Sequence, residues 1–184
     1  MPITPDTKSW TWVLQRVCPE CGFDASAIEC TEVAARLRDN AAEWPEFLER
    51  RDAATRPSDD KWSTLEYACH VRDVFRLFDE RLALMLEEDD PEFENWDQDE
   101  TAVEDCYGEQ RPGQVAADLA RAATALASRF DSVAGSAWSR TGSRSDGAKF
   151  TIDTFSRYLL HDPVHHLYDI RTGIQSIGGS RAFE

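Results

Sequence analysis

The stretch WSTLEYACHVRDVFRLFDERLALM, residues 62–85, decides the fold. It opens on Ser63-Thr64-Leu65-Glu66, a capping box in which serine and glutamate each satisfy an otherwise orphaned backbone amide. Tyr67, Val71, Val74, Phe75, Phe78, Leu82 and Met85 then recur at helical spacing and form one apolar stripe. The pattern predicts a helix over 64–87 that buries one face against other helices. It also places His70 two turns into that helix.

Working outward, Val33, Leu37, Ala41, Trp44 and Leu48 predict an earlier helix over 30–52, with Cys30 or Thr31 near its start and Pro45 as a kink. After residue 87 comes an acidic connection. Eleven carboxylates and no Lys or Arg lie between Glu87 and Asp105, which reads as a solvated, mobile loop. The connection lacks the glycine-turned spacing of a calcium loop. Pro112 suits the first position of a third helix, whose buried face is Val115, Leu119, Ala122, Leu126 and Phe130. A Gly- and Ser-rich loop follows over 135–147. A fourth helix is expected over 151–172, stopped by Gly173. Strand signals are nearly absent.

The expected fold is therefore all-α, a four-helix bundle. The connection between helices two and three is about 24 residues, long enough to run the length of a helix of about 35 Å, so these two helices can be parallel. The expected organisation is an irregular extension over 1–30, packed through Trp10, Trp12, Val13, Leu14 and Val17, then the bundle over 31–175 and a tail over 176–184.

Composition removes whole classes of function. With 35 acidic and 20 basic side chains the formal charge is −15, which leaves no basic stripe for nucleic acid and no attraction to an anionic membrane surface. No apolar run reaches the roughly 18 residues of a membrane span. The first residues, MPITPDTKSW, do not read as a signal peptide, so the expected location is cytoplasmic. The five cysteines, an odd number, then read as thiols or metal ligands rather than a disulfide frame.

Three of the four histidines lie within His161-Asp162-Pro163-Val164-His165-His166. His161 and His165 are i and i+4, so in a helix both imidazoles leave one face, a common two-ligand clip for a divalent ion. His70 is the candidate third ligand. Antiparallel packing of helices two and four brings all three rings to similar depth. Pro163 can break or kink the helix between the clip residues. His166 points about 100° away and reads as packing or support. Asp73 and Asp169 stand at helical neighbour spacing from His70 and His165 and are candidates to orient them. Tyr158 shares the face of His161. Cys18-Pro19-Glu20-Cys21-Gly22 resembles one zinc knuckle, with only Cys30 near enough in sequence to add a third ligand. A reversible disulfide or plain thiols are the other readings. Cys69 reads as a small core residue.

Trp62-Ser63, Glu66 and His70, with Asp73 after them, resemble the entry to helix two in DinB-like proteins. The segment LLHDPVHHLYDI resembles their helix-four H-x-x-x-H segment in its actinobacterial version, and CPECGFDAS resembles the amino-terminal extension of an actinobacterial subgroup. The resemblance spans about residues 10–175. It implies a four-helix bundle in up-down-down-up order with a metal on His70, His161 and His165, zinc or nickel being the expected ion. Relatives of that family include mycothiol-dependent maleylpyruvate isomerase and bacillithiol transferases. The resemblance thus implies a low-molecular-weight thiol as cosubstrate, a small electrophile as substrate, and a homodimer as partner state. Hydrolysis by metal-bound hydroxide and a non-catalytic metal- or ligand-binding bundle are the rival readings, since such an ion can activate either water or a thiol.

Overall fold

The computed structural model describes residues 9–180, with side chains described through residue 175. Four long helices make the bundle: α1 (Val33–Leu48), α2 (Thr64–Glu87), α4 (Pro112–Asp131) and α5 (Ile152–Ser180). A short helix, α3 (Gln98–Glu104), lies in the connection between α2 and α4. Helix α4 packs on α1 and α2, and α5 packs on the same two helices. Trp44, Phe75, Leu82, Met85, Leu119, Leu126, Phe155 and Leu159 fill the space between them and are almost fully buried.

The local signals explain the best-defined boundaries. Ser63 Oγ accepts from the Glu66 amide at 3.3 Å, and Glu66 Oε2 accepts from the Ser63 amide at 2.8 Å, closing the expected capping box. The same carboxylate is gripped by Arg56, whose Nε lies 3.0 and 3.1 Å from its two oxygens. Pro112 occupies the first turn of α4. Helix α1 begins later than expected, at Val33, because Cys30–Glu32 form a 3-10 turn with no side-chain cap, and it ends at Leu48. Pro45 stays inside α1.

Three features differ from the sequence expectation. A small sheet is present: β1 (Glu92–Phe93) pairs in parallel with β2 (Thr141–Arg144), which pairs antiparallel with β3 (Lys149–Thr151). These strands are two to four residues long, too short to show an alternating pattern. The sheet packs against α2 closely enough that a Cβ on Gly142 would stand 2.9 Å from Met85 Cγ. Second, the acidic connection is built rather than a bare loop. Its first part is β1, and Asp97 caps α3 by accepting from the amides of Asp99 (3.0 Å) and Glu100 (2.9 Å). Third, α5 does not stop at Gly173. The residue is helical, and a Cβ there would meet Pro57 Cγ at 3.3 Å, so glycine admits the close approach of the α1–α2 loop instead of forming a C-cap. The expected tail is thus helical to Ser180, and 181–184 lie outside the described residues.

Pro163 is also carried within α5. Its carbonyl accepts from Asn40 Nδ2 of α1 at 3.0 Å, and Asn40 Oδ1 accepts from Trp44 Nε1 at 3.0 Å. The buried amide thereby joins α1 to the turn of α5 that carries the histidines. Among the described residues no helix is long and apolar enough to cross a membrane.

Candidate metal centre

Because α5 continues through Pro163, the side chains of 161–166 keep helical order. Successive residues are rotated by about 100°, so His161 and His165 share one face while Asp162 and His166 share the next. One helical turn and a half therefore offers two i,i+4 pairs. The rest of the chain supplies each pair with different company.

His70 of α2 meets the second pair. Its Nε2 lies 3.2 Å from Asp162 Oδ2, and His166 Nε2 lies 3.7 Å from the same oxygen. The His70 and His166 rings stand 4.9 Å apart, nearly perpendicular at 85°. Possible ligand atoms of His70, Asp162 and His166 all fall within 4.8 Å of one another. On its far edge His166 Nδ1 is 3.1 Å from Asp169 Oδ2, which fixes the ring and leaves Nε2 facing the cluster. Trp96, carried by the acidic connection, stacks on His70 at 5.4 Å and 10°. Trp62 lies against the same ring at 5.3 Å, and Tyr67 lies against His166 at 4.8 Å.

The first pair meets the amino-terminal segment. Cys18, Cys21, His161 and His165 also bring their ligand atoms within 4.8 Å of one another. The three ligands expected from the sequence are thus divided: His70 stands with Asp162 and His166, while His161 and His165 stand with the two cysteines. The sequence offers both pairs at the same i,i+4 spacing, and nothing local in it says which pair faces α2. Asp162 and His166 were legible as a clip in the same six residues. No local signal joined Cys18 and Cys21 to α5.

The supporting residues are redistributed too. Asp73 does not reach His70; its carboxylate takes Arg72, Arg76 and the Tyr107 hydroxyl, the last at 2.7 Å. Asp169 is 3.1 Å from His166 but 3.8 Å from His165. Cys69 is buried in the core with its thiol toward the Tyr107 carbonyl. Tyr158 lines the cavity and meets Arg144 Nη1 at 3.3 Å.

Electrostatics fit a cation between His70, Asp162 and His166. Burial opposes ionisation of Asp162, yet His70 and His166 outweigh it and hold the carboxyl well below the usual range. Burial also opposes charge on His166, but Asp162 and Asp169 raise its pKa. His161 behaves oppositely: burial, helped by His165, pulls it down to about 4, so it is neutral at pH 7. His70 Nδ1 and Asp162 Oδ1 are buried with no hydrogen-bond partner. Unpaired buried polar atoms are costly, and a bound ion is one way to satisfy them. Two imidazoles and one carboxylate suit a divalent transition ion and leave coordination positions open.

His70, Asp162 and His166, together with His161 and His165, line a cavity of about 570 Å³ whose walls include Trp62, Trp96, Arg81 and Arg144. Arg81 is 5% exposed, hydrogen-bonds the Glu94 carbonyl, and makes no ion pair among the described residues. Burial, reinforced by Arg144, pulls its pKa down to about 10, which still leaves it charged.

The family model described as the DinB superfamily matches residues 34–170. Among solved structures, YfiT from Bacillus subtilis, described as a probable metal-dependent hydrolase with an unusual four-helix bundle topology, aligns with a TM-score of 0.65. The alignment covers 96% of this chain and 94% of YfiT at 16% identity, so it speaks to the fold alone. No curated protein sequence matches the chain.

Proposed function

Because this chain belongs to the DinB superfamily, we propose that it is a metal-dependent enzyme whose ion is held by His70, Asp162 and His166 and which adds or transfers a low-molecular-weight thiol to a small, anionic electrophile. The observation that carries the reading is the cluster of His70, Asp162 and His166 in the wall of a partly open cavity lined by aromatic and polar side chains. When bound, zinc or nickel would supply Lewis acidity and stabilise a thiolate or hydroxide near neutral pH. The chain's own residues would do the rest. Asp162 would remain ionised and offset part of the ion's charge. Asp169 would hold the His166 ring by its Nδ1 edge. Trp96 and Trp62 would exclude water from His70. Arg81, buried without a carboxylate partner among the described residues, would receive an acidic group of the substrate, since a buried cation is strongly favoured by an anion beside it. The up-down-down-up helix order and a homodimer belong to the same proposal.

Hydrolysis is the second reading. The same ion, when bound, would supply hydroxide as readily as it would hold a thiolate, and YfiT is described as a probable metal-dependent hydrolase. The experiment supplies metal-loaded protein with mycothiol, bacillithiol or glutathione and a panel of unsaturated or epoxide acids, beside carboxylic esters and amides without thiol. Thiol consumption that depends on metal and is lost in Asp162→Asn supports the proposal. Turnover without thiol selects hydrolysis. Activity unchanged by Asp162→Asn removes this cluster from the chemistry.

A further inference from the structure

We propose that Cys18, Cys21, His161 and His165 form a second, closed zinc site that fastens the amino-terminal segment onto α5. The donor set is two thiols and two imidazoles within 4.8 Å of one another. It combines a C-x-x-C turn with an H-x-x-x-H helical clip, and a tetrahedral S2N2 set selects zinc. Four protein ligands leave no open position, so the site is structural, in contrast to the three-ligand cluster on the next face of the helix.

The local geometry is prepared for a metal. The cysteine turn is closed by the Gly22 amide donating to the Cys18 carbonyl at 2.9 Å and the Cys18 amide donating to the Phe23 carbonyl at 2.8 Å. Gly22 takes φ +74°, a conformation that glycine adopts without penalty. Cys18 Sγ stands 3.7 Å from His165 Nδ1. The opposite edge of that ring, Nε2, faces Glu20 at 3.7 Å and Asp169 at 3.8 Å. Both lie beyond hydrogen-bond distance, but their negative charge favours the proton on Nε2 and leaves the Nδ1 lone pair toward the sulfur. His161 Nε2 is buried and without a hydrogen-bond partner. Trp10 covers both rings at 5.3 and 5.2 Å, and Phe23 presents an edge to His161 at 5.5 Å.

Charge balance suits the burial. Uptake of Zn²⁺ releases the two thiol protons, and two thiolates cancel the ion's charge, so the complex adds no net charge to a mostly buried spot. The link joins positions 147 residues apart. Closing so long a loop lowers the entropy of the unfolded chain. It also holds Trp10 at the rim of the cavity, which Trp10 helps to line.

The test is zinc K-edge absorption on the full-length, untagged, zinc-loaded protein. The proposal predicts sulfur neighbours at about 2.3 Å beside nitrogen at about 2.0 Å. The His70–Asp162–His166 cluster contains no sulfur, so the sulfur signal reports this site alone. Asp162→Asn should keep the sulfur signal. Cys21→Ser should weaken it, and zinc should protect both thiols of the wild type from alkylation. Zinc without sulfur neighbours, or thiols alkylated equally fast with and without zinc, would overturn the proposal. The wild-type spectrum decides the matter even where Cys21→Ser fails to fold.

Discussion

Replacing Asn40 by alanine tests how the proline-containing turn of α5 is held. Asn40 is 6% exposed and makes two side-chain hydrogen bonds, donating to the Pro163 carbonyl and accepting from Trp44 Nε1, both at 3.0 Å. Trp44 is fully buried, so Asn40→Ala strands its indole N–H, at a cost of about 1–3 kcal/mol. The Pro163 carbonyl lies inside a helix and loses only its second donor, worth about 0.5–1 kcal/mol. The sum is about 2–4 kcal/mol, a substantial part of the roughly 5–15 kcal/mol that stabilises a domain. For a chain of this length, each kcal/mol shifts Tm by about 2–4 °C, so the melt should fall by about 4–16 °C. Urea unfolding followed by far-ultraviolet circular dichroism, with and without added zinc, measures the loss. A change below about 0.5 kcal/mol, the range of neutral surface substitutions, would refute the view that this amide clamps α1 to α5.

Three further perturbations follow from the same geometry. Burial opposes ionisation of Glu66, yet Arg56 and Ser63 hold its pKa below the ordinary carboxylate value, so its stabilisation is present above that value and is lost as pH falls through the lowered one. Glu66→Gln should therefore lower stability at neutral pH and flatten the acid limb of a Tm-versus-pH profile; an unchanged limb would count against it. Gly142→Ala puts a Cβ 2.9 Å from Met85 Cγ and 3.2 Å from Phe93 Cε1, and should cost about 1–3 kcal/mol by overpacking, measured by thermal melting, with a neutral result opposing the close sheet–helix contact. Asp169→Asn removes the carboxylate beside His166 Nδ1 and should weaken metal binding about 10–100-fold in a chelator competition, while equal affinity would separate Asp169 from the cluster.

What could be read from the sequence follows the reach of each signal. The bounds of α2 and the start of α4 come from contacts within one turn, a capping box and a first-turn proline, and both stand where expected. The sheet was hidden because strands of two to four residues have no periodicity, and one of its pairings joins residues about 50 apart. Gly173 carries the same residue type as a C-cap, and only the approach of Pro57 reveals its other use. The two candidate clusters were legible only in part. His70 and the six-residue histidine segment marked the place. Which i,i+4 pair faces α2 depends on helix rotation, and rotation is set by packing such as the Asn40 clamp. The meeting of Cys18 and Cys21 with α5 is purely tertiary, across more than 140 residues.

We propose two metal sites on adjacent faces of α5. Anomalous diffraction at the zinc edge, on crystals of the zinc-loaded full-length protein, tests this most directly. One peak is expected among His70, Asp162 and His166 and a second among Cys18, Cys21, His161 and His165. A single peak shared by His70, His161 and His165 would contradict it.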